Sequence, residues 1–232
     1  MKILLSITIT LLCTGQAFGQ QCPVNSGFRG TRYSIDRYKN GELIKTVHTL
    51  QDIAIPIRNR LNAHLKSKLG DVFSRRLKFG WGYWVDLERL KRESPDVYEW
   101  NAPMGSYDLV FWFSDPKKGL KALYSKIILN DDGTIREDIN LPNIAANPEK
   151  ALIIPCRKAV SIAVNQGFPK QALHIKFGYS PEQHSFVWII TDVTGTEPDD
   201  PLAVKGQGTY KNIQIDANTG LVLRIYKETI IM

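Results

Sequence analysis

The chain has 232 residues, of which 43% are apolar and 10% aromatic, and it carries a formal net charge of +7. This length and apolar content suffice for one sizeable core or two small ones, and they exclude a disordered chain. The moderate positive charge favours an acidic protein partner or an anionic surface, although it also serves simply to keep a protein soluble.

The first residues have the pattern of a secretory signal. Met1 and Lys2 are followed by the apolar run ILLSITITLLC and then by Ala17-Phe18-Gly19. A basic start, an apolar segment too short to span a bilayer and a small-x-small ending predict cleavage after Gly19, so that residues 1–19 are removed. We therefore expect an exported protein, periplasmic or secreted, with no stable membrane insertion and no nucleic-acid partner.

Export of the chain determines what its three cysteines can do. Cys13 leaves with the signal, so Cys22 and Cys156 remain in an oxidising compartment where they can form a disulfide. The alternative is a buried Cys156 thiol on an apolar helix face, with Cys22 in a loose tail. A lipid anchor at Cys13 or Cys22 is a further hypothesis, but neither follows the small residue that such processing usually requires.

Residues 20–48 are predicted to form an N-terminal strand or hairpin, because they contain the turn signal Lys39-Asn40-Gly41. A helix is predicted next, over Thr49 to Leu69, where apolar residues recur at helical spacing: Ile53, Ile57, Leu61 and Leu65. Pro56 lies within this segment. A straight helix interior resists proline, so we expect either a kink or a helix that begins there.

A second helix is predicted over Pro148 to Gln166, with Asn147 as its N-cap and Glu149 in its first turn. Pro155 again predicts a kink or a later start. The two helices contain the similar stretches IPIRNR, from Ile55, and IPCRKA, from Ile154.

The two helical segments are each followed by the same series of apolar stretches. In the order first copy and second copy, these are LKFGW from Leu77 and IKFGY from Ile175, DLVFWFSD from Asp108 and SFVWIITD from Ser185, and YSKIILNDDGTIREDI from Tyr124 and YKNIQIDANTGLVLRI from Tyr210. Together with the similar helical stretches IPIRNR and IPCRKA, these three pairs make four matching elements in one order, which predict a tandem duplication. The predicted fold class is α+β, with two units, residues 49–142 and 147–232, each a helix packed on a three- to four-stranded antiparallel sheet. Residues 82–106 are an insertion in the first unit.

The last stretch of each copy contains a polar turn with glycine. The turns are Asp131-Asp132-Gly133 and Asp216-Ala217-Asn218-Thr219-Gly220. Both have the composition of hairpins in which one residue needs a positive φ.

The second unit resembles the PepSY family of small exported domains. The likeness lies in Phe186-Val187-Trp188 and in Ile213-Gln-Ile-Asp-Ala-Asn-Thr-Gly-Leu-Val, and it covers roughly Pro148 to Lys227. The first unit is a weaker match, because Leu129-Asn-Asp-Asp-Gly-Thr-Ile lacks the Asp-Ala-x-Thr-Gly spacing. As a whole the chain resembles the PepSY-like, β-lactamase-inhibitor-like exported proteins, in which such units occur in tandem. The resemblance implies a non-catalytic domain, in some relatives an inhibitor or chaperone of a peptidase.

The residues that catalysis or metal binding would require show no recognised sequence pattern. His48, His64, His174 and His184 lack the spacings that place metal ligands on one helix face, although His174 and His184 could face each other across a strand pair. The acidic stretch from Glu197 to Pro201 lacks the spacing of a calcium loop. We therefore predict no catalytic residues, no metal and no cofactor.

The insertion and its approach are the best candidate for a partner-binding surface, because tryptophan and tyrosine anchor protein interfaces and arginine suits an acidic partner. The candidate residues are Trp81, Tyr83, Trp84, Arg89, Arg92, Tyr98 and Trp100. The alternative is that Trp81 and Tyr83 point inward from a strand and Trp100 covers the core.

Two functions follow from this sequence. The first is a non-catalytic exported binding module that holds a protein partner, such as a secreted peptidase, another hydrolase or a toxin. The second is a small-ligand carrier or enzyme with a pocket between helix and sheet. Filling of that space by Ile57, Leu61, Phe79 and Trp112 would count against the second.

Overall fold

The computed structural model describes residues 22, 24–25, 43–100, 105–194 and 207–231. The predicted signal and the turn at Lys39-Asn40-Gly41 lie outside the described residues, as does the acidic stretch from Glu197 to Pro201. In chain order the elements are β1 Val24–Asn25, β2 Ile44–Val47, α1 Ile55–Ser74, β3 Lys78–Val85, α2 Leu87–Glu93, α3 Pro95–Trp100, β4 Tyr107–Asp115, β5 Leu120–Leu129, β6 Ile135–Glu137, α4 Cys156–Asn165, β7 Leu173–Ser180, β8 Ser185–Asp192, β9 Gln207–Asp216 and β10 Val222–Ile231. No helix in these ranges is both long enough and apolar enough to span a membrane.

The described strands form two antiparallel sheets in a fold that mixes α-helices and β-strands. In the first sheet β2, β3, β4, β5 and β6 are successive antiparallel neighbours, and the two-residue β1 adds to β5 in parallel. The second sheet is the meander β7, β8, β9 and β10. The N-terminal segment therefore contributes strands to opposite edges of the first sheet, because β1 pairs with β5 and β2 pairs with β3.

The first long helix begins where Pro56 predicted. Helix α1 starts at Ile55, so Pro56 occupies the first turn, where its missing N–H costs no helical hydrogen bond. The predicted start at Thr49 is wrong: Thr49 precedes a short 3₁₀ helix, and its backbone N–H donates to Asp52 Oδ2 at 2.8 Å. The buried side chains recur every fourth residue: Ile57, Leu61, Leu65, Leu69 and Phe73. The break in helical backbone lies at Gly70, with φ 72°.

The second predicted helix is shorter than its sequence pattern indicated. Pro148–Ala151 form a 3₁₀ helix, the next residues are extended, and α4 begins only at Cys156. Pro155 is the N-cap of α4, with φ −60° and ψ 144°, so the later start that Pro155 predicted is confirmed, whereas Asn147 is the N-cap of the 3₁₀ helix and not of α4. The cause is proline, which lacks an N–H and disfavours helical backbone in the residue before it.

Both polar turns have the backbone that their glycines predicted. Gly133 has φ 81° and Gly220 has φ 82°. A side chain at either position would also meet a neighbouring helix, because an added Cβ at Gly133 would lie 3.2 Å from Ile57 Cα of α1, and one at Gly220 would lie 3.2 Å from Ile162 Cδ1 of α4.

One apolar core connects the two halves of the chain. Phe73 of α1 packs on Phe113 of β4 with ring centroids 5.0 Å apart, and Phe113 lies 5.6 Å from Phe186 of β8. Phe186 in turn lies 5.4 Å from Phe177 of β7. These rings join α1 and both sheets in one cluster of buried side chains, so the two halves share a core while their sheets remain separate.

A disulfide joins Cys22 to Cys156, with their Cα atoms 6.4 Å apart. The sequence had left a bridge and a free buried thiol as equal alternatives. Cys156 is buried at the first position of α4, so the bond ties the N-terminal segment to the start of this helix.

Candidate functional site

The first sheet has one face on the core and one face turned away from it. On the core side, Leu109, Phe111 and Ile127 belong to the buried cluster. The residues that alternate with them on β4 and β5 lie on the opposite face. That face carries Trp112 directly opposite Tyr124.

A β-bulge in β3 places the side chains of Trp81 and Tyr83 on the same outer face of the sheet. The register shifts between Phe79 and Trp81, so Phe79 lies opposite the core residue Phe111 whereas Trp81 lies opposite Val110. After the shift, Tyr83 lies opposite Asp108. The prediction that Trp81 and Tyr83 point inward is therefore wrong, because a bulge exchanges the two faces of a strand.

We call Trp81, Tyr83, Trp112 and Tyr124 the aromatic face. The Trp81 and Tyr124 rings lie 5.7 Å apart and those of Trp112 and Tyr124 6.4 Å apart. The ammonium of Lys78 lies 4.9 Å from the centre of the Trp112 ring. All four aromatic side chains are partly exposed, so the face presents packed aromatic surface next to a positive charge.

The other predicted partner-binding residues do not join this face directly. Trp84 packs against the main core, and its ring lies 5.1 Å from the Lys45 ammonium. Arg89 Nε donates to Glu93 Oε1 at 2.8 Å, and Arg92 lies 3.6 Å from the same oxygen. The side chain of Trp100 lies outside the described part of the chain.

The insertion forms two short helices at one end of the aromatic face. Val85 follows Trp81 and Tyr83 on the same face of β3, and it is buried in a small cluster with Leu43 and Leu90. Tyr98 of α3 packs against that cluster. Helices α2 and α3 consequently border the aromatic face, with Arg89 and Arg92 on α2.

Among the residues that the structure describes, Asp108 is the carboxyl buried beside the aromatic face. It lies opposite Tyr83 and is 1% exposed, and its Oδ1 has no hydrogen-bond partner in the described structure. Burial raises the pKa of Asp108 to about 6, with Lys126 opposing and Glu137 reinforcing the change. Sequence reasoning missed this carboxyl, and its only signal was an aspartate at the start of an otherwise apolar strand.

A polar groove lies elsewhere, where α1, the segment after β6 and the β7–β8 turn meet. Its volume is about 730 Å³. We define it by six of its lining residues: His64, Lys68, Asp138, Lys150, Tyr179 and His184. The space between α1 and the first sheet, where the second predicted function would need its pocket, is packed by Ile57 and Leu61 together with Phe79, whereas Trp112 lies on the outer face.

Asp138 is held at the centre of the groove. Its Oδ1 lies 2.7 Å from His64 Nε2, and its Oδ2 accepts a hydrogen bond from Lys68 Nζ at 2.6 Å. Burial alone would favour the neutral acid, but these two partners hold the pKa of Asp138 below its ordinary value. Lys68 also donates to the Ile139 carbonyl oxygen at 2.8 Å, which fixes its ammonium in the wall.

Lys150 and His184 form the other wall. Lys150 Nζ donates to the His184 carbonyl oxygen at 2.7 Å, and His184 Nδ1 lies 3.3 Å from the Tyr179 hydroxyl. His184 has a φ of 46°, which is unusual for a residue other than glycine. His174 pairs with Thr191 far along β7, so the two histidines do not face each other across a strand pair.

Other acidic side chains serve the turns that contain them. Asp132 Oδ1 accepts hydrogen bonds from the Thr134 hydroxyl and backbone N–H, which lower the pKa of Asp132. Burial would raise the pKa of Asp216, but hydrogen bonds from Thr219 and Asn218 hold it below its ordinary value. Among the described residues no three histidine, cysteine, aspartate or glutamate side chains come together as a metal site.

No protein-family model, curated protein or solved structure matches this chain. The likeness to the PepSY family thus stays a prediction from the residues of the second half. Function is inferred from the aromatic face and the polar groove.

Proposed function

We propose that the chain is a non-catalytic, exported binding module that holds a protein partner on its aromatic face. The observation that carries this proposal is the set of four partly exposed aromatic side chains on a sheet face turned away from the core. Large aromatic groups with polar tips supply most of the binding energy in many protein interfaces. The exported location comes from the predicted signal at residues 1–19.

The charges around the aromatic face favour an acidic partner. The Lys78 ammonium lies over the Trp112 ring, and Lys126, whose Nζ lies 3.7 Å from Glu137 Oε2, lies between Tyr124 and Ile128 on the same face. Arg92 on the neighbouring α2 is exposed. Basic groups at the rim of an interface speed association with an acidic surface and help to select it. A secreted peptidase, another exported hydrolase or a toxin is the class of partner that we propose.

We further propose that the chain contains two PepSY-like units, each a helix with its own antiparallel meander. The order of elements supports this, because α1 precedes β3 to β6 and α4 precedes β7 to β10. The two glycine turns support it as well, since Gly133 approaches α1 and Gly220 approaches α4 in the same way. In PepSY-like proteins such a unit is a scaffold, and fold alone does not assign an activity.

The environments of three acidic residues, Asp132, Asp138 and Asp216, support a structural rather than a catalytic role for them, whereas Asp108 has a raised pKa. Asp132 and Asp216 stabilise hairpin turns, and Asp138 is paired with Lys68 and His64. A catalytic acid or base usually has a pKa shifted towards neutrality, whereas these three have lowered values. Their hydrogen bonds account for them as structural groups.

Affinity capture from the exported fraction tests the proposed function. The baits are the wild-type chain, the double variant Trp81→Ala with Tyr124→Ala, and the control Val72→Ala on α1, where Val72 is 78% exposed. We expect one specific partner on the wild type and on the control, and at least about tenfold weaker binding to the double variant.

Circular dichroism of each bait verifies that the variants are folded. Equal capture by the double variant, or no specific partner on any bait, contradicts the proposed role of the aromatic face. A folded variant that loses the partner while Val72→Ala keeps it supports the role.

The polar groove favours a second candidate function, which is binding of a small acidic ligand. Lys68 and Lys150 are both anchored by backbone carbonyls, and Lys150 has no carboxylate partner in the described structure. One uncompensated ammonium in a cleft attracts a carboxylate or phosphate group. With citrate as the probe, calorimetric titration should show binding that Lys150→Ala weakens about tenfold and that Lys121→Ala, on exposed β5 surface, leaves unchanged. Absence of citrate binding to the wild type counts against this candidate.

A further inference from the structure

Strand β10 forms one edge of the second sheet. It is ten residues long, from Val222 to Ile231, and it pairs with β9 along this length. On its other side it has no partner strand among the described residues. Long edge strands present unpaired backbone groups that readily bind another strand. Leu221, Val222 and Ile225 add exposed apolar surface here, at 66%, 37% and 43% exposure.

The side chains of β10 are arranged symmetrically about Tyr226. Arg224, Tyr226 and Glu228 alternate along the strand and so lie on one face. An antiparallel partner of the same sequence, centred on Tyr226, would place each Arg224 opposite a Glu228 of the other copy. We propose that two copies of the chain associate through β10 in this register and join their four-stranded sheets edge to edge.

Other registers of β10 with itself are less favourable. When a two-fold axis relates two identical antiparallel strands, the axis lies between the strands, and one residue faces its own copy across it. We name each register by that residue. Axes at Arg224, Lys227 or Glu228 set like charges directly opposite each other, which is destabilising. An axis at Ile225 pairs no opposite charges. Tyr226 is the centre that forms two Arg224 and Glu228 contacts and no like-charge contact.

The present contacts of Arg224 hold it in place for this interaction. Its Nε donates to Gln214 Oε1 at 2.6 Å, and its guanidinium lies 4.7 Å from the centre of the Tyr226 ring. Glu182 lies 3.7 Å from Arg224 Nη1 at the surface, and the Arg224 side chain is 51% exposed. Glu228 is exposed and has no ion-pair partner in the described structure. A second copy supplies that partner.

Charge reversal with rescue tests the dimer. Sedimentation equilibrium of the purified exported chain should show a concentration-dependent dimer. Arg224→Glu and Glu228→Arg should each raise the dissociation constant at least tenfold. The double variant should restore dimerisation, because the two charges exchange places across the axis. Lys227→Glu is the matched control, since Lys227 faces the uncharged Ile225 in this register and its reversal should leave dimerisation unchanged.

A wild-type chain that stays monomeric at its highest soluble concentration overturns the proposal, even if a foreign strand is later found on β10. A dimer insensitive to the single reversals, or one that the double variant does not restore, overturns the register. Circular dichroism verifies that the variants are folded. The result is independent of the aromatic face, because oligomeric state is measured without any captured partner.

Discussion

Replacing Cys22 with serine is expected to lower the free energy of unfolding by about 3 to 5 kcal/mol, because the disulfide closes a loop whose ends are 134 residues apart. The bond restricts the unfolded chain, and long loops lose the most entropy on closure. Cys22 is the better site for the change, because Cys156 is almost fully buried and a hydroxyl there would need a partner. Urea unfolding followed by tryptophan fluorescence measures the effect.

Reduction of the wild type provides the control for this prediction. A reducing agent should lower the urea midpoint of the wild type to that of Cys22→Ser, and it should have no effect on the variant. Equal midpoints for wild type and variant under oxidising conditions would show that the bond contributes nothing to stability.

Replacing Asp108 with asparagine is expected to stabilise the protein at neutral pH by about 3 kcal/mol, since the pKa of this carboxyl rises from 3.8 to about 6 on folding. A raised pKa means that the folded state binds the proton more tightly than the unfolded state. The contribution of Asp108 is therefore most favourable below about pH 4, and it is lost as the pH rises through about 6. Asparagine keeps the shape and removes the charge.

The difference in unfolding free energy between the wild type and Asp108→Asn isolates the titration of Asp108. Other carboxyls, including Asp132 and Asp216, have lowered pKa values and stabilise the fold as the pH rises above their range, equally in both proteins. Unfolding free energies measured from pH 4 to pH 7 should thus diverge with rising pH, with the variant the more stable. Asp131→Asn, in an exposed turn, is the matched control. A constant difference across this pH range would mean that Asp108 does not titrate there.

The spacing of apolar and turn residues predicted much of the architecture. The apolar residues of α1 identified its buried face, and the glycines at positions 133 and 220 identified both tight turns. The failures have local causes. Pro155 correctly predicted a later start of the second helix, but the periodicity did not reveal that Pro148–Ala151 form a separate 3₁₀ helix. The bulge before Trp81 exchanges the two faces of β3, because a single inserted residue moves every later side chain to the opposite face of the sheet.

The candidate site was only partly predictable for a different reason. Trp81 and Tyr83 stand close together in the sequence, but Trp112 and Tyr124 join them through sheet register. The polar groove likewise assembles residues from distant segments, such as Lys68 and His184. Neither set has a sequence motif, since the neighbours meet only after folding.

Hydroxyl-radical footprinting of the chain with its captured partner is the most direct test of the central claim that the aromatic face binds a protein. We predict that oxidation of Trp81, Tyr83, Trp112 and Tyr124 falls in the complex, while oxidation of Trp84 on the opposite face does not change. Unchanged oxidation of the four aromatic side chains, with protection at another surface, would contradict it.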